Sequence, residues 1–277
     1  MPLSQWAALS GAALCFLFAG CAGTEAFGGS RARVTEWGAS RGFAADAIAA
    51  GRFELFALQR GAAPRLTIYI EGDGAPWPNT YHPPRDPTPL RPLALAMAAQ
   101  DPAPAVAYLG RLCQYLDDEA RQACPVDYWT RRRFAPEAVA AMDMAVDRLK
   151  ARSGASRLRL VGHSGGGTMA ALLAARRADV EVWITVAAPL DLAEWIRVHD
   201  LTPLEDALDP MSLPGMPRGG THFAGGRDAV VPPAVVETFV RRHGGRLELI
   251  ADFDHDCCWA RDWPGLLKRA DTLEGKP

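Results

Sequence analysis

Three side chains, far apart in the chain, have the types that nucleophilic chemistry needs. Ser164 stands in Gly162-His163-Ser164-Gly165-Gly166, between the apolar run 158–161 and an Ala-rich stretch. Asp228 stands in Gly225-Gly226-Arg227-Asp228-Ala229-Val230-Val231-Pro232, and His255 in Asp252-Phe253-Asp254-His255-Asp256. Each follows a short apolar segment. A serine on so sharp a strand-to-helix turn needs small neighbours, because larger side chains collide with the strand and the helix. The turn lifts Oγ above the sheet edge, at the positive end of the next helix. A hydroxyl is a poor nucleophile at neutral pH, so a base within reach must take its proton during attack. Histidine, with a reference pKa of about 6.5, suits that transfer. A carboxylate behind it holds the ring and stabilises its cation. Other assignments compete: Asp206 or Asp209 for the acid, and His222 or His243 for the base. His222 precedes the acid, and His243 ends a helical run. His163, inside the turn, is read as a packing residue. A phosphate-binding turn is the bland alternative, but the lysine of G-x-x-x-x-G-K-[ST] and the G-x-G-x-x-G spacing are both missing.

These residues need a sheet to carry them. Apolar runs with strand character occur at 53–59, 66–70, 106–109, 158–161, 182–187, 221–223 and 247–250. Helical stretches lie between them, at 136–152, 168–177 and 233–242 among others; the first has apolar residues at Val139, Met142, Met144, Val146 and Leu149 and reads as one-sided. Strands alternating with helices predict an α/β fold, a mostly parallel central sheet flanked by helices. The serine turn, the G-x-x-D-x-x-V-P loop and the chain order Ser164, Asp228, His255 resemble the α/β-hydrolases over roughly residues 53–269. The resemblance implies that Ser164 is the nucleophile, His255 the base and Asp228 the acid. It also implies an oxyanion hole. One donor is the backbone N–H of Gly165. The other comes from Glu71-Gly72-Asp73-Gly74, with the Asp73 amide favoured and Gly74 next. Glu71 stands where the family more often has histidine. A metal held by Glu71 and Asp73 is the rival reading, but no histidine or third acid nearby completes a site.

Three insertions exceed ordinary connections and are expected to form cap or lid surface: 75–92, 111–134 and 189–220. The first has seven prolines and reads as an extended surface loop. The second contains Tyr128-Trp129-Thr130-Arg131-Arg132-Arg133-Phe134, read as a solvated lid edge with arginines pairing to Asp117, Asp118 or Glu119; a nucleic-acid patch, or arginines that steer an anionic substrate or lipid headgroup, are the alternatives.

Composition narrows the function further. Hydrophobic residues are 49% and charged residues 22% of 277, enough for a sizeable core and too apolar for a disordered chain. Thirty basic against 32 acidic side chains leave no basic excess for coating nucleic acid. Residues 1–20 carry no charged side chain and suit the apolar part of an export signal, too short to span a bilayer. They end in Leu17-Phe18-Ala19-Gly20-Cys21, which resembles the lipobox of bacterial lipoproteins. That resemblance implies cleavage before Cys21, a diacylglyceryl anchor on its sulfur, and a place in the cell envelope. A plain signal peptide cut near Ala22 or Gly23, or a cytosolic N-terminal helix, are the alternatives. Residues 21–52 read as a lead-in and 53–277 as one domain. Export makes disulfides possible. Cys113 and Cys124 are expected to close a short loop, while Cys257 and Cys258 form either a vicinal ring or two thiols. A four-cysteine zinc site lacks CxxC spacing.

The expectation is therefore an exported, lipid-anchored serine hydrolase that cleaves an ester, thioester or amide through an acyl-enzyme. No metal or organic cofactor is called for, and the expected partners are an acyl substrate and a membrane. An acyltransferase on the same fold, or a binding protein with a vestigial triad, are the alternatives.

Overall fold

The computed structural model describes residues 27–75, 82–217 and 220–272. The leader, Cys21 and part of the Pro-rich insertion lie outside the described residues. All seven expected strands form: β2 (Phe53–Arg60), β3 (Arg65–Ile70), β4 (Val106–Leu109), β5 (Arg157–His163), β6 (Val180–Val186), β7 (Gly220–Gly225) and β8 (Arg246–Ile250). An eighth, β1 (Ala44–Ala50), precedes them. The eight strands make one sheet in the order β1-β2-β4-β3-β5-β6-β7-β8. β1 and β2 are antiparallel to each other, and β2 is antiparallel to β4. From β4 through β8 all pairings are parallel.

Side-chain alternation divides the core into two layers. In β3, Leu66, Ile68 and Ile70 face one layer while Tyr69 faces the other; in β5, Leu158 and Leu160 oppose Val161 in the same way. The first layer is covered by α4 (Pro136–Ser153), α5 (Gly165–Arg176) and α7 (Pro233–His243), through Met142, Val146, Leu149, Leu173, Val235 and Phe239. The second is covered by α1 (Arg31–Ala39), α2 (Leu93–Gln100) and α8 (Trp259–Asp271). Trp259, Trp263, Leu266 and Leu267 of α8 recur at helical spacing and are all buried. Parallel strands sandwiched between helices bury both faces, which is why these segments read as continuous apolar runs.

The insertions are less solvated than their compositions suggest. In the described part of the Pro-rich segment, Pro84, Pro87, Thr88, Pro89 and Pro92 are buried, so the expectation of a surface loop fails there. Proline has no N–H to leave unsatisfied, so a Pro-rich segment can pack against protein at little polar cost. The second insertion holds α3 (Asp118–Gln122) and a 3-10 turn at Val126–Trp129, and buries Leu112, Cys113, Gln114, Tyr115, Tyr128 and Phe134. Disulfides join Cys113 to Cys124 and Cys257 to Cys258. The third insertion carries α6 (Leu192–His199) and a 3-10 turn at Pro210–Ser212.

The arginine pairing also differs from expectation. Asp117 caps α3 through Ala120 N–H, and Asp118 pairs with Arg121. Arg131 pairs instead with Asp127 and Glu205, and Arg132 with Glu137, Glu205 and Asp206. Asp127 and Glu137 are near neighbours in the chain, but Glu205 and Asp206 approach only when the third insertion folds against the second, a contact that sequence separation hides.

Candidate active site

Ser164 sits at the carboxyl end of β5, with Gly165 opening α5. Its backbone is at φ 52, ψ −127, a conformation costly for any residue with a Cβ. The strain is held by its surroundings. Ser164 N–H donates to the Val186 carbonyl at the end of β6, 2.8 Å away. A Cβ on Gly162 would fall on the backbone of Gly166, and one on Gly166 would fall on the carbonyls of Ile70 and Glu71. The glycines thus let α5 start flush against β3 and β5, which is the close approach the spacing suggested.

The loops after β7 and β8 bring Asp228 and His255 to the same edge. Asp228 Oδ1 accepts from the N–H groups of Val230 and Val231, at 2.8 and 2.7 Å. Its Oδ2 lies 2.9 Å from His255 Nδ1, and its side chain is fully buried. A carboxylate only accepts, so Nδ1 carries the proton and donates. Nε2 then presents a lone pair to Ser164 Oγ at 3.0 Å, and the hydroxyl donates to it. The three residues singled out by type and order form one hydrogen-bonded chain. The competing residues lie elsewhere. His222 is in the core, bonded to Thr185 Oγ1 and packed between Trp183 and Phe239. His243 meets the Met211 carbonyl. Asp206 pairs with Arg132, and Asp209 caps the turn at Pro210–Ser212.

His163 has a more definite place than packing alone. Its Nε2 lies 3.0 Å from the His255 carbonyl, so Nε2–H donates there. Trp259 Nε1 donates to the same carbonyl and to that of Asp254. The backbone of His255 is thereby pinned from two sides. Burial, with help from the neighbouring His255 ring, lowers the His163 pKa to about 3. It stays neutral and sets no positive charge beside His255.

The loop after β3 lies over Ser164. A Cβ added to Gly72 would stand 3.4 Å from Ser164 Cβ, at ordinary van der Waals distance. The Asp73 carboxylate lies against Gly165. Among the described residues, no acceptor takes the backbone N–H of Gly165 or Asp73. Gly74, at φ +96, is where the loop passes closest to its neighbours: an added Cβ would fall on the Pro87 carbonyl and on Gln114. Gln114 fixes the loop: its Nε2 donates to the Gly72 carbonyl at 3.0 Å, while its Oε1 accepts from Arg111 N–H. Gln114 is buried and adjoins the Cys113–Cys124 bridge. Nothing in its local sequence marks it.

The carboxylates of Glu71 and Asp73 turn to different partners. Asp73 faces Arg111 and Arg133. Glu71 is buried beneath the loop, where Oε1 accepts from Gly72 N–H at 2.9 Å and faces Ala94 N–H at the start of α2. Its Oε2 has no hydrogen-bond partner. Burial raises its pKa from 4.5 to about 7, against the opposing pull of those N–H donors. Between these two values the unfolded chain is ionised at Glu71 while the folded chain is protonated. The protonated form's advantage is thus complete below pH 4.5 and lost as pH rises through 7. A shift of this size is worth about 3 kcal/mol. In urea unfolding at pH 5 and pH 8, Glu71→Gln should decline less than wild type by about that amount. Parallel declines in the two proteins would contradict the assignment.

No protein-family model matches the chain, and no curated protein matches its sequence. Solved structures do match. Est1E from Butyrivibrio proteoclasticus is 15% identical, with 83% of this chain and 98% of that chain covered at a TM-score of 0.56. An α/β serine hydrolase without lid from Xanthomonas campestris is 15% identical, covering 85% and 97% of the two chains at a TM-score of 0.55. A proline iminopeptidase from Mycobacterium smegmatis is 13% identical, covering 83% and 96% at a TM-score of 0.57. At such identities the likeness speaks for architecture, here the eight-stranded, mostly parallel sheet flanked by helices. The chain has the α/β-hydrolase fold.

Proposed function

We propose that the protein is a serine hydrolase that cleaves a carboxylic ester through an acyl-enzyme. The observation that carries the reading is the position of His255, 2.9 Å from Asp228 on one ring nitrogen and 3.0 Å from Ser164 on the other. In this mechanism Ser164 Oγ attacks the acyl carbon as its proton passes to Nε2. The carbonyl oxygen becomes an oxyanion, received by the amides of Gly165 and Asp73. Collapse breaks the bond to the leaving alcohol, which departs with the proton from Nε2. Water then repeats the sequence on the acyl-enzyme, returning the proton to Ser164 and releasing the acid. Asp228 remains ionised throughout and stabilises the imidazolium.

Pre-steady-state hydrolysis of para-nitrophenyl esters tests this. A burst of nitrophenol approaching one equivalent per enzyme, followed by slower turnover to free acid, is the expected result. Linear release with no burst and no saturation would leave a binding protein on this fold as the better reading. Product that accumulates as a new ester when an alcohol is added would favour acyl transfer instead.

A further inference from the structure

The run Arg131–Arg133 is unevenly neutralised. Arg131 and Arg132 are matched by Asp127, Glu137, Glu205 and Asp206. Arg133 is not. Its Nε lies 3.4 Å from Asp73 Oδ2, in no hydrogen-bond geometry, and among the described residues no other carboxylate pairs with it. Asp73 is itself shared: Arg111 Nη1 sits 3.2 Å from its other oxygen. Two guanidiniums therefore share Asp73 as their ion-pairing carboxylate, with the buried and partly protonated Glu71 acting on Arg111 only through its charge, so the pair is left short of negative charge. Both are largely withdrawn from water, with side chains 6% and 12% exposed. Both have an Nε that is buried without a partner. Arg111 Nη2 donates to the Arg133 carbonyl at 2.9 Å, so the two are built as a unit. Phe134 and Trp195 flank the Arg133 guanidinium at 5.9 and 5.5 Å from their ring centroids, which fixes its plane without neutralising it.

The place matters as much as the charge. The shared carboxylate lies against Gly165, the residue next to Ser164, on the loop whose Gly72 faces Ser164 with room for no more than a Cβ between them. An uncompensated, poorly hydrated guanidinium is a strong site for a planar anion. We propose that Arg133, backed by Arg111, recognises a carboxylate carried by the substrate next to the bond that is cleaved. The proposal rests on the serine-hydrolase reading and names the substrate class for it. An ion pair that merely fastens the second insertion to the loop after β3 is the structural alternative.

Matched ester pairs separate the two. In one pair the charge is on the acyl side, mono-para-nitrophenyl adipate against para-nitrophenyl hexanoate. In the other it is on the alcohol side, meta-acetoxybenzoate against phenyl acetate. The measured quantity is the ratio of kcat/KM, charged over neutral, within one preparation, which cancels any misfolded fraction. Wild type should favour the charged member of at least one pair by roughly 10- to 100-fold. Arg133→Gln should bring that ratio to about one, Arg133→Lys should retain part of it, and added salt should reduce it in wild type. A ratio of one or below in both pairs, or one that survives Arg133→Gln, overturns the proposal and leaves ester hydrolysis standing. Cleavage of no ester at all removes both readings.

Discussion

Ser164→Ala lowers kcat/KM for any ester the protein cleaves by about 10⁴- to 10⁶-fold, with the fold intact. The size follows from the unit in which the serine acts. In the proposed mechanism, without Oγ, His255 has no proton to accept in the acylation step, and the N–H groups of Gly165 and Asp73 would retain only their binding of the carbonyl oxygen. Removing one member of such a set therefore costs nearly as much as removing all. The variant should fold well, because alanine at φ 52 is no more strained than serine and the exchange removes one partly exposed hydroxyl. Thermal unfolding read beside the kinetics checks this: unchanged melting with abolished turnover is expected. Retention of more than a tenth of the rate would mean that another group carries the chemistry.

Asp228→Asn is the second large effect, about 10⁴-fold in kcat. Here the geometry dictates how the loss arises. Oδ1 of Asp228 is held by the N–H groups of Val230 and Val231, so it must remain an acceptor. In asparagine the carbonyl oxygen takes that position, and the amide NH₂ is left facing His255 Nδ1. A donor there forces Nδ1 to give up its proton and accept, which places the proton on Nε2. Nε2–H then meets Ser164 and can no longer receive its proton. Proton NMR of the imidazole should show the exchangeable proton moving from Nδ1 to Nε2 as the rate falls. A variant with near-normal kcat, or one with the wild-type tautomer, would remove Asp228 from its role.

Much of this site could be read before folding, for a physical reason. The serine turn is specified by steric demands within five residues, so Gly162, Gly165 and Gly166 announce it locally. Asp228 and His255 follow apolar runs that could only be parallel strands, and such strands deliver their trailing loops to one edge of a sheet. What sequence did not disclose depends on contacts between distant insertions. Gln114, Arg111 and Arg133 reach the loop after β3 because the second insertion folds inward, closed by Cys113–Cys124. His163 reads from sequence as a packing residue because nothing local shows that the His255 carbonyl arrives within 3.0 Å. β1 carries no strand signal in sequence because Ala44–Ala50 is mostly alanine, a helix former. As an edge strand it needs only Ile48 and Ala50 inside, too few to show a period of two.

The proposed mechanism requires that Ser164, and no other hydroxyl of this chain, be activated for attack on an electrophile. Fluorophosphonate labelling of the folded protein, followed by peptide mapping, tests it most directly. One adduct is predicted, on the peptide containing Gly162-His163-Ser164-Gly165-Gly166, absent in Ser164→Ala and strongly slowed in Asp228→Asn. An adduct on another residue, or undiminished labelling of the alanine variant, would contradict the account.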